Sequence, residues 1–235
     1  MIAADEVVSV ETALEELRHA ALGCVGCKLH LGRTQVVFGQ GNPLAPMVLV
    51  GQSPGEQEDR AGEPFVGPAG QLLNECLAAV GIKRAKVWIT NIVKCRPYVQ
   101  TAPARGRNRD PEDDEIDACQ TWIEAELALL RPRVIVAIGG PSASLLLGHD
   151  VGITRSRGKW FQDHRFRPAW IMPVLHPAYI LRNHGETFDA LRQQLIDDLE
   201  HARRTVVRLL KEPAEVSPPP PPPAAVEQPS LFDDV

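Results

Sequence analysis

Four short apolar runs recur along the chain, each enriched in β-branched side chains and bounded by glycine or proline. Runs of this length and composition are typical of strands that are buried on both faces of a parallel sheet. The pattern therefore predicts strands at residues 47–50, 87–93, 134–138 and 170–175.

Helical patterns separate and flank these runs, at residues 5–21, 69–80, 111–130, 141–147 and 187–210. The third of these helices opens on a proline and carries acidic residues in its first turn, which is how helices commonly begin. Strands that alternate with helices predict an α/β fold. We expect three αβα layers around a central four-stranded parallel sheet.

The composition changes abruptly near residue 212, to EPAEVSPPPPPPAAVEQPSLFDDV. A segment so rich in proline cannot form a packed core and is expected to be an extended, disordered tether. We therefore expect one folded domain at residues 1–211 and a disordered proline-rich tail at residues 212–235.

The chain has 235 residues, of which 44% are apolar, enough to bury a core. Its first thirty residues carry acids where a signal peptide needs basic residues, and no stretch reaches the roughly 18 apolar residues of a membrane span. We expect a soluble cytoplasmic protein, and a monomer by default.

The net charge of −5 argues against a nucleic-acid partner only superficially. Five of the 30 acidic residues lie in the tail, which leaves the body with 25 acids against 25 Lys and Arg residues. Residues 94–109 hold five basic residues and no acid, and residues 155–167 hold five against one. Local basic patches of this kind suit a polyanion, although charge alone is equally compatible with ordinary solvated surface.

Five cysteines in a reducing compartment favour metal ligation or burial over disulfides. Cys24 and Cys27 form a close pair, and Cys95 and Cys119 could add two more ligands. Cys76 falls at an apolar position of a predicted helix, where a buried thiol is expected. Four thiolates suit zinc or an iron–sulfur cluster, and the spacing leaves both open beside redox or incidental thiols.

Ligands of doubly wound sheets bind at the carboxyl ends of the strands, and all four predicted ends carry unusual chemistry. The first end opens GQSPGEQEDRAGEPFVGPAG, residues 51–70. This segment lacks the lysine of a P-loop and the spacing of a dinucleotide fingerprint, and its acids would repel a triphosphate. We interpret it as the wall of a pocket for a small polar ring, with Phe65 as the stacking platform.

The motifs CVGC, GQSPGEQED, PFVGPAGQLL, ITNIVKCRP, NRDPEDDEIDAC, VIVAIG and LHPAYILR occur in this order. In residues and order they closely resemble the family 4 uracil-DNA glycosylases, the iron–sulfur members of the uracil glycosylase superfamily, over about residues 20–195. The resemblance implies a monofunctional DNA-repair enzyme. Such an enzyme uses water to hydrolyse the N-glycosidic bond of uracil in single- and double-stranded DNA, and leaves an abasic site.

The resemblance implies a role for three side chains that meet a flipped-out base. Asn91 corresponds to the asparagine that reads the uracil edge, because an amide offers an acceptor and a donor side by side. Phe65 corresponds to the residue that stacks on the base. His176 corresponds to the histidine that hydrogen-bonds uracil O2 as negative charge develops there.

The glycine-rich loop both matches the family and departs from it. Gly51 and Gly55 fall in the substrate-binding loop, and Glu58 matches a position near uracil C5 where it would exclude the methyl group of thymine. A solvated loop carboxylate is the alternative for Glu58. Gln52 and Ser53 occupy catalytic positions where the family usually has Glu followed by Ala or Gly. A neutral amide cannot act as a general base, so the water-activating group is left open.

The resemblance also assigns the cysteines. Cys24, Cys27, Cys95 and Cys119 match the family's ligands of a [4Fe–4S] cluster with a structural role and no redox step. The long interval between Cys95 and Cys119 looks like an insertion, and its basic TAPARGRNR stretch is expected to lie against DNA phosphates. This interval contains no histidine, which disfavours the covalent bond to DNA that a related group forms there.

The tail ends in Gln228-Pro229-Ser230-Leu231-Phe232, which resembles the pentapeptide that binds the bacterial sliding clamp. Gln228, Leu231 and Phe232 would dock into the clamp while the tether sets the reach. The alternative is an inert tail.

Two other functions stay open for the chain as a whole. One is a glycosylase for a different deaminated base, such as hypoxanthine, which the change at Gln52 and Ser53 could permit. The other is a non-catalytic protein that binds uracil-DNA or is tethered to the clamp.

Overall fold

A computed structural model describes residues 4–102 and 105–211. The clamp-like residues Gln228, Leu231 and Phe232, and the rest of the proline-rich tail, lie outside the described residues. The strands are β1 (Gln40–Gly41), β2 (Met47–Gly51), β3 (Trp88–Asn91), β4 (Tyr98–Ala102), β5 (Arg105–Asn108), β6 (Val134–Ile138) and β7 (Trp170–Val174).

The main sheet runs β1-β3-β2-β6-β7 among the described residues, and its four long strands are parallel. These are the four strands that the apolar runs predict. Residues of β2, β3 and β6 are buried throughout, because helices cover both faces of the sheet. The α/β class and the parallel centre of the sheet are thus confirmed.

The predicted strand count needs a correction, because β1 adds a fifth, antiparallel strand that pairs Gln40 with Ile89. Both residues of β1 are polar or glycine, so no apolar run marks it in the sequence. The strand predicted at residues 87–93 is shorter in the structure, where β3 ends at Asn91. Two further main-chain bonds follow, from Ile92 N to Gly51 O and from Val93 N to Gln52 O, at 2.9 and 3.0 Å.

The helices are α1 (Ala4–Leu22), α2 (Glu56–Ala61), α3 (Pro68–Ala79), α4 (Asp113–Leu130), α5 (Gly140–Leu147), α6 (Ile153–Ser156), α7 (Pro177–Ile180) and α8 (Gly185–Leu209). The five long ones lie within three residues of their predicted ends. Alternate sheet residues face opposite sides: Val48 and Ile135 pack against α1, α4 and α5, and Leu49 and Val136 pack against α3 and α8. This confirms the three αβα layers.

The basic insertion forms an antiparallel hairpin of β4 and β5 that stands apart from the main sheet. No apolar run or helical pattern in the sequence predicts this hairpin. Among the described residues, none of the helices combines the length and the apolar composition of a membrane span.

Candidate active site

The parallel register of β2 and β3 sets Gly51 beside Asn91 at the carboxyl ends of the two strands. A Cβ atom at Gly51 would lie 2.4 Å from Asn91 Oδ1 and 2.5 Å from Phe65 Cζ. Any side chain at residue 51 would therefore collide with both groups. Glycine is required here so that the amide of Asn91 and the ring of Phe65 can approach the same main-chain segment.

Phe65 is buried and its main chain is held in the left-handed region, at a φ of 54°. Arg84 supports this conformation by donating to the carbonyl oxygens of Pro64 and Phe65, at 2.5 and 3.3 Å. The Phe65 ring lies 6.1 Å from the His176 ring, with 29° between their planes. Strained main-chain conformations of this kind concentrate at functional sites, and here the strain orients an aromatic face.

Asn91 is 2% exposed, and its Oδ1 atom accepts no hydrogen bond within residues 4–102 and 105–211. A buried acceptor without a donor costs free energy unless a ligand supplies the donor. The main-chain oxygen of Asn91 is held by Lys94 Nζ at 2.9 Å. Lys94 thus holds the main chain of Asn91 in place, while the side-chain oxygen Oδ1 is available to a hydrogen-bond donor of a ligand.

His176 is half-buried at the end of β7, and its Nδ1 atom accepts a hydrogen bond from Ala178 N at 3.1 Å. Because Nδ1 accepts, the proton of the neutral ring resides on Nε2. Burial lowers the pKa of His176 to about 4, the charge of Arg182 acts in the same direction, and that of Asp110 opposes both. His176 is therefore a neutral hydrogen-bond donor near pH 7.

The carboxylate of Glu58 braces the glycine-rich loop. It accepts from the main-chain nitrogens of Gly55, Val66 and Gly67, at 3.1, 3.0 and 2.7 Å. Gly55 thus uses its N–H on Glu58, and both residues shape the loop around Phe65. These contacts differ from the solvated carboxylate considered above, and the predicted contact of Glu58 with the base stays a prediction.

Gln52 and Ser53 are half-buried in the same loop. Gln52 Nε2 donates to Asp110 Oδ1 at 3.1 Å, which joins the loop to the segment that follows the hairpin. Asp110 is not among the site residues that the sequence predicts. Its motif, NRDP, gives no signal of this contact because the two residues lie 58 positions apart.

The four predicted ligand cysteines line one cavity, together with Trp122, Val36 and other side chains. The packing of α1 on α4 brings Cys24 and Cys119 together, while Cys95 follows β3 and Cys27 follows α1. Cys76 lies elsewhere, in the core beside α8.

Several N–H groups point at the sulfurs of this cavity. Trp122 Nε1 lies 3.4 Å from Cys24 Sγ, Arg33 Nη1 lies 3.3 Å from Cys95 Sγ, and Lys94 N lies 3.2 Å from Cys119 Sγ. Burial raises the pKa of the Cys119 thiol to about 12 and also raises that of Cys95. The raised pKa values favour the protonated thiols, whereas N–H groups directed at sulfur would also stabilise thiolates that bind a metal or a cluster.

The chain is similar in sequence to a known protein family. Residues 38–200 match the model of the uracil DNA glycosylase superfamily. This chain belongs to that superfamily. Within it, the chain is 39% identical to the type-4 uracil-DNA glycosylase of Thermotoga maritima over 82% of this chain and 94% of that protein. It is 41% identical to the type-4 enzyme of Pyrobaculum aerophilum over 79% and 91%.

A structural likeness agrees with the fold of this glycosylase. The crystal structure of wild-type Pedobacter heparinus SMUG2 superposes with a TM-score of 0.50 at 16% identity, covering 70% of this chain and 76% of that one. This likeness concerns the fold alone. The family model and the identities to the type-4 enzymes confirm the family resemblance noted in the sequence.

Proposed function

We propose that this type-4 glycosylase hydrolyses the N-glycosidic bond of uracil in single- and double-stranded DNA, with water as nucleophile and without cutting the strand. The observation that carries the proposal is the buried Oδ1 of Asn91, which accepts no hydrogen bond within the described residues and approaches Gly51 together with the Phe65 ring. The ring of His176 lies 6.1 Å from that of Phe65. A flipped-out base would supply the missing donor.

Uracil fits the polar groups of this pocket atom by atom. Its N3–H donates to Asn91 Oδ1, its O4 accepts from Asn91 Nδ2, and its O2 accepts from Nε2–H of His176. Cytosine presents an acceptor at N3 and a donor at its amino group, so it would meet Asn91 with both polarities reversed. As the glycosidic bond breaks, negative charge develops on the uracil oxygens, and the donors at Asn91 and His176 stabilise it.

Glu58 would exclude thymine by fixing the wall of the pocket. Its three main-chain bonds hold Gly55 and residues 66–67 in place. A methyl group at C5 of the base would have to displace this rigid loop. Glu58→Gln, which keeps the shape but weakens the charge-assisted bonds, is expected to relax the discrimination against thymine.

The four cavity cysteines would hold a [4Fe–4S] cluster. No three or more Cys, His, Asp or Glu side chains converge as ligands of a single ion within the described parts of the chain. Four thiolates around a cavity nevertheless suit a cluster, in which each cysteine binds a different iron, better than one zinc with Zn–S bonds of about 2.3 Å. The cluster would cross-link the chain, because its cysteines join the segment after α1 and the start of the hairpin to α4 in the core.

The basic insertion and the tail would provide contacts outside the pocket. The β4–β5 hairpin carries the exposed Arg107, which would contact DNA phosphates. We propose a glycosylase domain at residues 1–211 that acts as a cytoplasmic monomer. The tail at residues 212–235 would tether it to the sliding clamp through Gln228, Leu231 and Phe232.

The function is tested by incubating the protein with oligonucleotides that contain uracil, hypoxanthine or a mismatched thymine, followed by alkali cleavage of abasic sites. We expect cleavage at uracil in both single and double strands. Asn91→Ala and His176→Ala should each slow uracil release by roughly 10²-fold or more. His19→Ala, which alters an exposed histidine on α1, should leave the rate unchanged.

The same assay separates the alternatives. Release of hypoxanthine in preference to uracil would indicate a different lesion specificity. Binding of uracil-DNA without release of any base would indicate a non-catalytic protein. Near-normal rates in both pocket variants would overturn the assigned site.

A further inference from the structure

Asp110 reaches the mouth of the pocket from the segment between the hairpin and α4. It accepts the hydrogen bond from Gln52 Nε2 at 3.1 Å, and its side chain is exposed. Its negative charge also acts on the His176 ring across the pocket. Asp110 therefore lies near both the loop that follows β2 and the histidine that follows β7.

The position of Asp110 is fixed by its neighbour, Arg109. The guanidinium of Arg109 donates to the main-chain oxygen of Asp110 at 2.9 Å and to both oxygens of the fully buried Glu115, at 2.7 and 2.5 Å. Arg109 N also donates to Pro97 O at 3.1 Å. These contacts fix the main chain at Asp110, and the hydrogen bond from Gln52 then orients its carboxylate.

The reaction needs a proton acceptor in this place. The base enters the pocket with its polar edge on Asn91 and His176, so its sugar is left at the mouth, where the attacking water must also lie. Gln52 has an amide and Ser53 has a hydroxyl, and neither accepts a proton from water at neutral pH. Asp110 brings a carboxylate, the type of group that acts as a general base, and Gln52 is the group that orients it.

We infer that Asp110 is the catalytic residue that activates water in this glycosylase, with Gln52 as its positioning residue; the inference rests on the proposed uracil excision. As the bond between C1′ and N1 breaks, its electron pair leaves with uracil. The water oxygen bonds to C1′, and Asp110 accepts the water proton. That proton later passes to the uracil anion or to solvent, which balances the reaction.

The test is single-turnover release of uracil from a duplex oligonucleotide, measured with wild type, Asp110→Asn and Asp113→Asn in parallel. Asp113→Asn is the matched control, because Asp113 is an exposed carboxylate on the first turn of α4. We expect Asp110→Asn to lower the rate about 10²-fold, in the range found for general bases, and Asp113→Asn to leave it within about twofold. Because Asp110→Asn removes a negative charge near DNA, its affinity for uracil-DNA should be equal or higher.

A second variant tests the chemistry rather than the fold. Gln52→Glu in the Asp110→Asn background returns a carboxylate to the same contact, and we expect it to recover at least about a tenfold increase in rate. An unimpaired Asp110→Asn, equal losses in both aspartate variants, or no recovery with Gln52→Glu would each overturn the inference. A wild type that releases no uracil would overturn the proposed function itself, and the inference with it.

Discussion

The ammonium group of Lys94 lies 2.5 Å from the carboxylate of Glu126, and both side chains are almost completely buried. Thr90 and Trp88 complete the carboxylate's hydrogen bonds, at 2.9 and 2.8 Å. Lys94 Nζ also holds the main-chain oxygen of Asn91, while Lys94 N contacts Cys119 Sγ. One buried ion pair thus connects α4, the cysteine cavity and the asparagine of the pocket.

Breaking this pair is expected to destabilise the protein strongly. Lys94→Met leaves Glu126 buried without its counter-ion, which typically costs about 3–5 kcal/mol in the free energy of unfolding. Urea unfolding followed by circular dichroism would measure the change. The double variant Lys94→Met/Glu126→Leu removes both charges and should recover most of the stability.

The double variant also separates stability from positioning. Because the support of the Asn91 main chain is still missing, we expect uracil excision to stay low when stability returns. Full recovery of activity would show that the ion pair only stabilises the fold. A single variant as stable as wild type would contradict the burial argument.

His176 is expected to stay neutral in the folded protein well below its usual titration range. Its pKa is lowered to about 4, so titration of the imidazole by NMR should show a midpoint far below 6.5. The unfolded chain binds a proton near pH 6.5 and the folded chain does not, so the free energy of unfolding falls as the pH drops from about 6.5 towards 4. His176→Asn should lose less stability than wild type over this interval. A midpoint near 6.5 would contradict the prediction.

Asp198 is expected to act in the opposite direction. Burial raises the pKa of its carboxyl to about 6, and the nearby Arg157 only partly offsets this effect. The folded protein therefore binds a proton that the unfolded chain has released, and this contribution to stability is lost as the pH rises from about 4 to 6. The free energy of unfolding of wild type should fall relative to that of Asp198→Asn as the pH rises from about 4 to 6. Above pH 7 the difference between the two proteins should stay constant. The control is Asp197→Asn, at the exposed neighbouring residue, whose stability relative to wild type should not change with pH in this way. A difference between wild type and Asp198→Asn that does not vary with pH would contradict the raised pKa of Asp198.

The cysteine cavity predicts a brown protein that contains iron. Cys119→Ser should lose the visible absorbance and most of the iron, and should unfold at a lower temperature, because the cavity then lacks one of its four thiolates. Cys76→Ala is the matched control, since Cys76 is also buried but lies on the side of the sheet that α3 and α8 cover. Iron analysis and absorption spectroscopy measure both variants. A colourless, iron-free wild type with full activity would rule out the cluster.

Deletion of residues 228–235 tests the tail. We expect the truncated protein to be lost from a pull-down with the purified bacterial sliding clamp, because Leu231 and Phe232 would supply the apolar contact. Activity on short oligonucleotides should be unchanged, since the tail lies apart from the pocket residues in sequence. Retention of the truncated protein on the clamp would contradict the proposed motif.

The apolar and helical patterns of the sequence predict the layers of the fold, and the strand ends predict where a pocket would form. Long apolar runs and helical periodicity are local signals, so they identified the four parallel strands and the five long helices. The strand ends then indicated Gly51, Asn91 and His176, because parallel strands bring such residues to one edge. The two-residue strand β1 cannot be predicted from an apolar pattern, because it forms through main-chain pairing with β3.

The contacts between polar groups depend on how the chain packs. Gln52 and Asp110 are 58 residues apart, and Lys94 and Glu126 are 32 apart, so neither contact leaves a local pattern in the sequence. The same holds for Glu58, whose carboxylate is directed to three main-chain nitrogens by the way the loop closes around Phe65. Residue type fixes what a side chain can donate or accept, but the packing of α4 and the loops on the sheet selects its partner.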